Sequence, residues 1–133
     1  MADTGKKVLL LDDDKFLLDM YALKFSQEGF TVVPCFSTEE ALQTLRAGEK
    51  PDAVLFDIAM PGEDGFAFLS KVKEEKLEGT ARLIALTNQS TEADQKHAEE
   101  LGAHRYVVKA SMIPSEVVEV VRKELGISAS QKQ

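Results

Sequence analysis

The side chains in this chain that could do chemistry sit at one kind of place, directly after an apolar run. Val8-Leu9-Leu10-Leu11 is followed by Asp12-Asp13-Asp14, Val54-Leu55-Phe56 by Asp57, Leu83-Ile84-Ala85-Leu86 by Thr87, and Tyr106-Val107-Val108 by Lys109. A charge buried between Phe56 and Ile58 is costly unless paired or solvated, so Asp57 is expected at the carboxyl end of a strand, facing a crevice. Taken singly, each of these residues also fits a plain role, as a turn aspartate or an exposed charge. Together they place carboxylates, one hydroxyl and one ammonium in a common region. Crowded carboxylates repel and raise a pKa unless a cation offsets them. With neither His nor Cys beside them, these oxygen ligands point to Mg²⁺, which bridges carboxylates to phosphate. The chemistry that follows is phosphoryl transfer. Asp57 attacks phosphorus and becomes an acyl phosphate, Lys109 pairs with one phosphoryl oxygen, and Thr87 donates a hydrogen bond to another.

The elements that must position these groups alternate. Val8 to Leu11 reads as a strand buried on both faces. Leu17, Leu18, Tyr21 and Phe25 then recur at spacings of three and four from Lys15 to Glu28, predicting a helix that Gly29 stops. Phe30 to Val33 is a second strand. Ser37-Thr38-Glu39-Glu40 is a capping-box pattern ahead of Ala41, Leu42 and Leu45, with Gly48 closing that helix. Ala53 to Asp57 forms the third strand, followed by a Pro61-Gly62 loop and a helix spaced by Phe66, Leu69 and Val72, whose Lys71, Lys73 and Lys76 read as a solvated face. Leu83 to Thr87 is the fourth strand, and Ser90-Thr91 caps a helix to Leu101. Tyr106 to Lys109 is the fifth strand, and Pro114 opens a last helix carrying Val117, Val118, Val120, Val121 and Leu125. Five strand-then-helix units predict an α/β fold: a doubly wound five-stranded parallel sheet flanked by five helices, with right-handed crossovers. If the strand order is 2-1-3-4-5, the four chemical groups converge on one crevice at the carboxyl ends.

Composition bounds the partners. At 133 residues, 44% of them hydrophobic, the chain suits one domain spanning 1–133, with a core at about 7–125, a short polar tail over 126–133 and no room for an output domain. A net charge of -7 without a basic stripe argues against nucleic acid. The lone Cys35 excludes an intrachain disulfide, and its apolar context predicts an inert buried thiol. No apolar run approaches membrane-spanning length and no signal-peptide core is present, so a cytoplasmic protein without a membrane partner is expected.

These residues resemble the receiver domains of two-component response regulators. The resemblance runs from Lys7 to about Leu125 and rests on Asp12-Asp13 after a hydrophobic strand, the Asp57 to Gly65 loop, Thr87, and Gly102-Ala103-His104-Arg105-Tyr106-Val107-Val108-Lys109. It implies a flavodoxin-like receiver fold and a signalling protein rather than an enzyme, catalysing only its own phosphorylation and dephosphorylation. Asp57 would be the phosphoacceptor, taking its phosphoryl group from a histidine kinase or a histidine phosphotransfer protein. Mg²⁺ would be held by Asp12, Asp13, Asp57 and the backbone carbonyl of Ala59. Tyr106 would change rotamer as Thr87 moves toward the phosphoryl group; its plainer role is a strand aromatic packed on the fourth helix. A downstream protein target would read the face of helix 4, strand 5 and helix 5, and phosphorylation-dependent homodimerisation is the other use of that face.

Three positions depart from the family pattern. Ala110 stands where a cis proline usually follows the lysine, which leaves open whether the Lys109-Ala110 peptide is cis or trans. Asn88 stands where a small residue is usual and narrows the path to Asp57, predicting slower phosphorylation by small donors than in an Asn88→Ala variant. Lys15 replaces a common proline, altering only the helix start. The alternatives are a pseudo-receiver that is never phosphorylated, a phosphatase of the haloacid-dehalogenase type using Asp12-Asp13-Asp14, and a flavin carrier. The phosphatase lacks the further acidic pair after Lys109, where only Glu116, Glu119 and Glu124 follow, on a predicted helix. The flavin carrier lacks a Ser/Thr/Gly phosphate cradle after the first strand.

Overall fold

The computed structural model describes residues 4–60, 64–87, 91–109 and 112–127. Over these the chain runs β1 (Lys7–Leu11), α1 (Lys15–Gln27), β2 (Thr31–Cys35), α2 (Thr38–Arg46), β3 (Ala53–Asp57), α3 (Gly65–Glu74), β4 (Arg82–Thr87), α4 (Glu92–Glu100), β5 (Arg105–Val108) and α5 (Pro114–Glu124). The strands form one parallel sheet in the order β2-β1-β3-β4-β5. Both faces are covered because successive strand residues point to opposite sides and nearly all are apolar. Leu9, Leu11, Val54, Phe56, Leu83 and Ala85 pack under α2, α3 and α4. Val8, Leu10, Leu55, Ile84, Leu86 and Val107 pack under α1 and α5, with Leu18, Tyr21, Phe25, Val117 and Val121.

The helices begin where the sequence supplies oxygen acceptors. Asp14, Ser37, Asp64 and Thr91 cap α1, α2, α3 and α4 by accepting from the N–H groups of Leu17, Glu40, Ala67 and Asp94. In α5 the Glu116 carboxylate accepts from the Ile113 N–H at 2.9 Å, and Pro114 occupies the first turn.

Strand β2 extends past its expected end at Val33, through Pro34 to Cys35. It is an edge strand, and the N–H of Thr31 and carbonyl of Cys35 are the groups turned toward the β1 side. Pro34, offset by one, faces outward, so its missing N–H costs no ladder bond and removes a donor from the exposed edge. Strand β5 starts and stops one residue earlier than expected, which leaves Lys109 just beyond it. Lys73 and Lys76 are exposed as expected and Lys71 partly so; the Lys73 amine also pairs with Glu78 at 2.9 Å, and its Cε would lie 2.8 Å from a Cβ at Gly102. Cys35 is buried as expected, and burial pushes its thiol up to about 11, leaving it protonated.

At the far end of the sheet from the strand carboxyl termini, His104 fastens β5 to β4. Its Nδ1 accepts from the Leu83 N–H at 2.9 Å while its backbone N–H donates to the Leu83 carbonyl at 2.7 Å. Desolvation of this edge of the ring, then the Arg82 charge, holds the imidazole below its ordinary value; Glu124, Lys73 and Glu78 are the other charges that it faces. The folded state therefore favours neutral His104, and the unfolded chain takes up the proton first. The stabilisation is full above about pH 6.5 and is lost as pH falls through that range. Comparing urea midpoints at pH 7.5 and 5.5, wild type should lose a few tenths of a kcal/mol more than His104→Ala, the exposed remainder of the ring keeping the difference small.

Candidate functional site

The carboxyl ends of the strands bring Asp12, Asp13, Asp57, Thr87 and Lys109 together. Asp12 is 3% exposed, Asp57 4%, Thr87 2% and Lys109 7%, while Asp13 is exposed. The Lys109 amine donates to Asp12 Oδ2 at 2.9 Å and to Asp57 Oδ2 at 3.3 Å. The other oxygen of each carboxylate is held by backbone: Asp12 Oδ1 accepts from the Asp14 N–H at 2.9 Å, and Asp57 Oδ1 from the Ala59 N–H at 3.0 Å. Strand alternation puts Asp12, Asp57 and Lys109 one pleat above Leu10, Leu55 and Val107, on the α1 and α5 side of the sheet. Thr87 follows the opposite parity, continuing Leu83 and Ala85 toward α4.

The three charges disturb one another. Burial pushes the Asp57 carboxyl above its usual range; the Ala59 N–H and the Lys109 charge pull the other way, and neighbouring Asp12 adds to the rise. For Lys109, burial alone would lower the amine, but the hydrogen bond to Asp12 and the charges of both carboxylates hold it above the ordinary lysine value. The ammonium is therefore firmly protonated. One cation against two buried carboxylates and the nearby Asp13 leaves the crevice negative.

One oxygen from each of Asp12, Asp13 and Asp57 can be chosen so that all three lie within 4.8 Å of one another. An all-carboxylate set of this size, one member open to solvent, fits a hard divalent cation that retains waters. Asp14, grouped by sequence with its acidic neighbours, does something else, its Oδ1 capping α1 at Leu17.

On the other face of the sheet, Tyr106 is partly buried against the apolar layer under α2 to α4. Burial raises its phenol, as does Asp94 of α4, while a hydrogen bond with Thr87 lowers it. The threonine and the tyrosine expected to act together are thus already joined. Asn88 and Ala110, read as controlling access to Asp57 and the seating of Lys109, lie outside the described residues.

Two contributors carried no functional expectation. Gly65 opens α3 directly against β3, where a Cβ would lie 2.5 Å from the Asp57 carbonyl oxygen and 2.5 Å from Ile58 Cα. A glycine at the start of a helix, where its stop signal has no use, was the available clue. Tyr21 lies in the layer directly beneath the charged cluster, and in the sequence it is indistinguishable from an ordinary apolar helix position.

The model of the response regulator receiver domain family matches residues 8–122, and the chain belongs to that family. Among solved structures, a CheY-like receiver domain protein from Methanospirillum hungatei JF-1 is 26% identical, with a TM-score of 0.82 over 91% of this chain and 94% of that one. A response regulator described as putative from Chloroflexus aurantiacus J-10-fl is 31% identical, with a TM-score of 0.80 over 91% and 98%. A DrrB receiver domain described as BeF3-activated is 26% identical, with a TM-score of 0.77 over 91% and 97%; DrrB is from Thermotoga maritima. Receiver domains are signalling modules rather than conventional enzymes.

A buried carboxylate held above its ordinary pKa weakens the fold when ionised. The cost appears as pH rises through the unfolded carboxylate value near 4 and is complete above the folded value. Asp57→Asn should therefore stabilise the protein by about 1 kcal/mol at pH 7, with the gain vanishing below about pH 4, as read from urea unfolding.

Proposed function

We propose that Asp57 accepts a phosphoryl group from a phosphohistidine on a histidine kinase or histidine phosphotransfer protein, and that the phosphorylated domain signals through protein contact. The observation that carries this reading is a nearly buried aspartate at the end of the central strand, 3.3 Å from a lysine amine and grouped with two further carboxylates. An Asp57 oxygen attacks phosphorus, the bond from phosphorus to the donor's imidazole nitrogen breaks, and its electron pair leaves with that nitrogen. Asp12, Asp13, Asp57 and the Ala59 carbonyl would hold Mg²⁺, which when bound neutralises charge gathering on the equatorial oxygens. Lys109 exchanges a carboxylate for a phosphoryl oxygen, and Thr87 donates to a second one. Since Thr87 is tied to Tyr106, its movement frees the phenol and links the crevice to α4 and β5. The readout face is then α4, β5 and α5, from Thr91 to Leu125, engaging a downstream protein or a second copy.

The kind of donor is suggested by α1. Phe16, Met20 and Leu23 are 76%, 36% and 61% exposed, and their spacing of four and three lines them along one side of the helix. This apolar stripe begins two residues after Asp14, beside the crevice, and suits a helix of a protein donor delivering its phosphohistidine to Asp57. Among the described residues no helix is long and apolar enough to cross a membrane.

Incubation with Mg²⁺ and a small phosphodonor such as acetyl phosphate should give an acid-stable, base-labile adduct on the wild-type chain. It should be absent with chelator and absent in Asp57→Ala; an adduct that persists in Asp57→Ala overturns the assignment. Simple phosphomonoesters should not turn over, and steady turnover would favour a phosphatase instead. The double variant Phe16→Asp, Leu23→Asp should lower phosphotransfer from a protein donor at least tenfold, on the scale of losing an aromatic anchor, while leaving the small-donor rate unchanged.

A further inference from the structure

Leu83 is fully buried, and its N–H donates to a side chain, His104 Nδ1, at 2.9 Å. The direction of this bond follows from the sheet. The Arg82 N–H donates to the Asp52 carbonyl and the Leu86 carbonyl accepts from Ile58, so the even residues of β4 turn toward β3 and the odd ones, Leu83 first, toward β5. His104 stands one residue before β5 and meets Leu83 twice, its ring accepting and its backbone N–H donating to the Leu83 carbonyl at 2.7 Å. What it fastens has little else to hold it. Strand β5 is an edge strand of 4 residues that pairs with β4 alone and buries only Val107. Helix α4, which leads into it, buries only Ala98 between Glu92 and Glu100.

A neutral imidazole that accepts at Nδ1 carries its proton on Nε2, whereas a charged one is a donor at both nitrogens. We infer that His104 is a pH-sensitive clasp at the sheet edge: a proton on its ring turns the acceptor into a donor, frees the Leu83 N–H and loosens the start of β5. The histidine is exposed, so protons reach it and the charged ring can turn out to water, while the Leu83 N–H stays buried without its acceptor. The charges around the ring do not offset this loss. It faces Arg82 of β4, Glu124 of α5, Lys73 of α3 and Glu78 in the turn that follows, with Arg105 next to it in the chain. These are already bonded to one another, Arg82 to Glu124 at 2.6 Å, Arg105 to Glu124 at 3.8 Å and Lys73 to Glu78 at 2.9 Å. Three cations against two anions favour the neutral ring. The clasp is therefore closed at neutral pH and opens as pH falls below the ordinary histidine value near 6.5. Strand β5 carries Tyr106 and belongs to the face proposed for readout, so acid would loosen that face; this consequence rests on the phosphoacceptor reading, and the clasp does not.

The test uses the isotope-labelled full chain and NMR. At pH 7.5 the Leu83 backbone nitrogen and His104 Nδ1 should show coupling across their hydrogen bond, with the ring as the Nε2–H tautomer, and at pH 5 that coupling should be gone. Coupling that is absent at pH 7.5, or unchanged at pH 5, overturns the inference. His104→Asn supplies a carbonyl oxygen near the position of Nδ1, an acceptor that does not titrate. Between pH 7.5 and 5, protection of the Leu83 amide against hydrogen exchange, corrected for the intrinsic rate, should fall roughly two- to threefold in wild type and stay level in His104→Asn. His97, the other histidine, is present in both proteins, so the difference isolates His104. Equal pH responses in the two would show a purely structural ring and overturn the clasp. None of these measurements involves phosphate, so they decide the clasp even where the phosphoacceptor reading fails.

Discussion

The Lys109 ammonium, held between Asp12 and Asp57, is the constraint on which the rest depends. All three groups are nearly out of water, and any one left without the others would be a buried charge, a loss of several kcal/mol. The sheet order answers this requirement. Asp12 directly follows β1 and Asp57 ends the adjacent central strand β3, and Lys109, just past the edge strand β5, reaches them across the end of β4. The balance remains short of positive charge, with the Asp57 carboxyl raised and the Lys109 amine raised as well. A crevice in that condition favours a second cation and a ligand that brings its own anionic oxygens.

The period of two in the strands divides the labour between the faces of the sheet. Carboxylates, lysine and Tyr21 share the side covered by α1 and α5, whereas Thr87 and Tyr106 share the side covered by α4. Chemistry and its consequence are thus separated by the thickness of one sheet. They meet at the carboxyl end of the sheet, where Leu86 pairs with Asp57 and Thr87 follows it on the opposite face.

Much of this was legible in the residues. Continuous apolar runs disclosed β1, β3 and β4 because both of their faces are buried, and the polar residue ending each run disclosed the site. Pro34 hid the length of β2, since a proline is tolerated only where the strand has an outer edge, and edge position is a property of the assembled sheet. His104 and Lys73 looked ordinary because their partners, Leu83 and Glu78 with Gly102, are set by packing rather than by local pattern. Asp14 carried the same chemistry as the carboxylate cluster but was claimed by the helix that follows it.

The contact of Gly65 with β3 fixes which way the site can yield. The Ile58 N–H donates to the Leu86 carbonyl at 3.1 Å and the Gly65 N–H to the Ile58 carbonyl at 3.2 Å, with α3 pressed against the Asp57 backbone where no side chain fits between. The main chain at Asp57 consequently has a stiff backing on the α3 side and cannot retreat when its carboxylate gains bulk and charge. Displacement is left to the groups whose attachments are side chains, Thr87 and Lys109. Under the proposed phosphorylation, a backbone so held at Asp57 would pass a local chemical change on to β4 and β5, instead of dissipating it in β3.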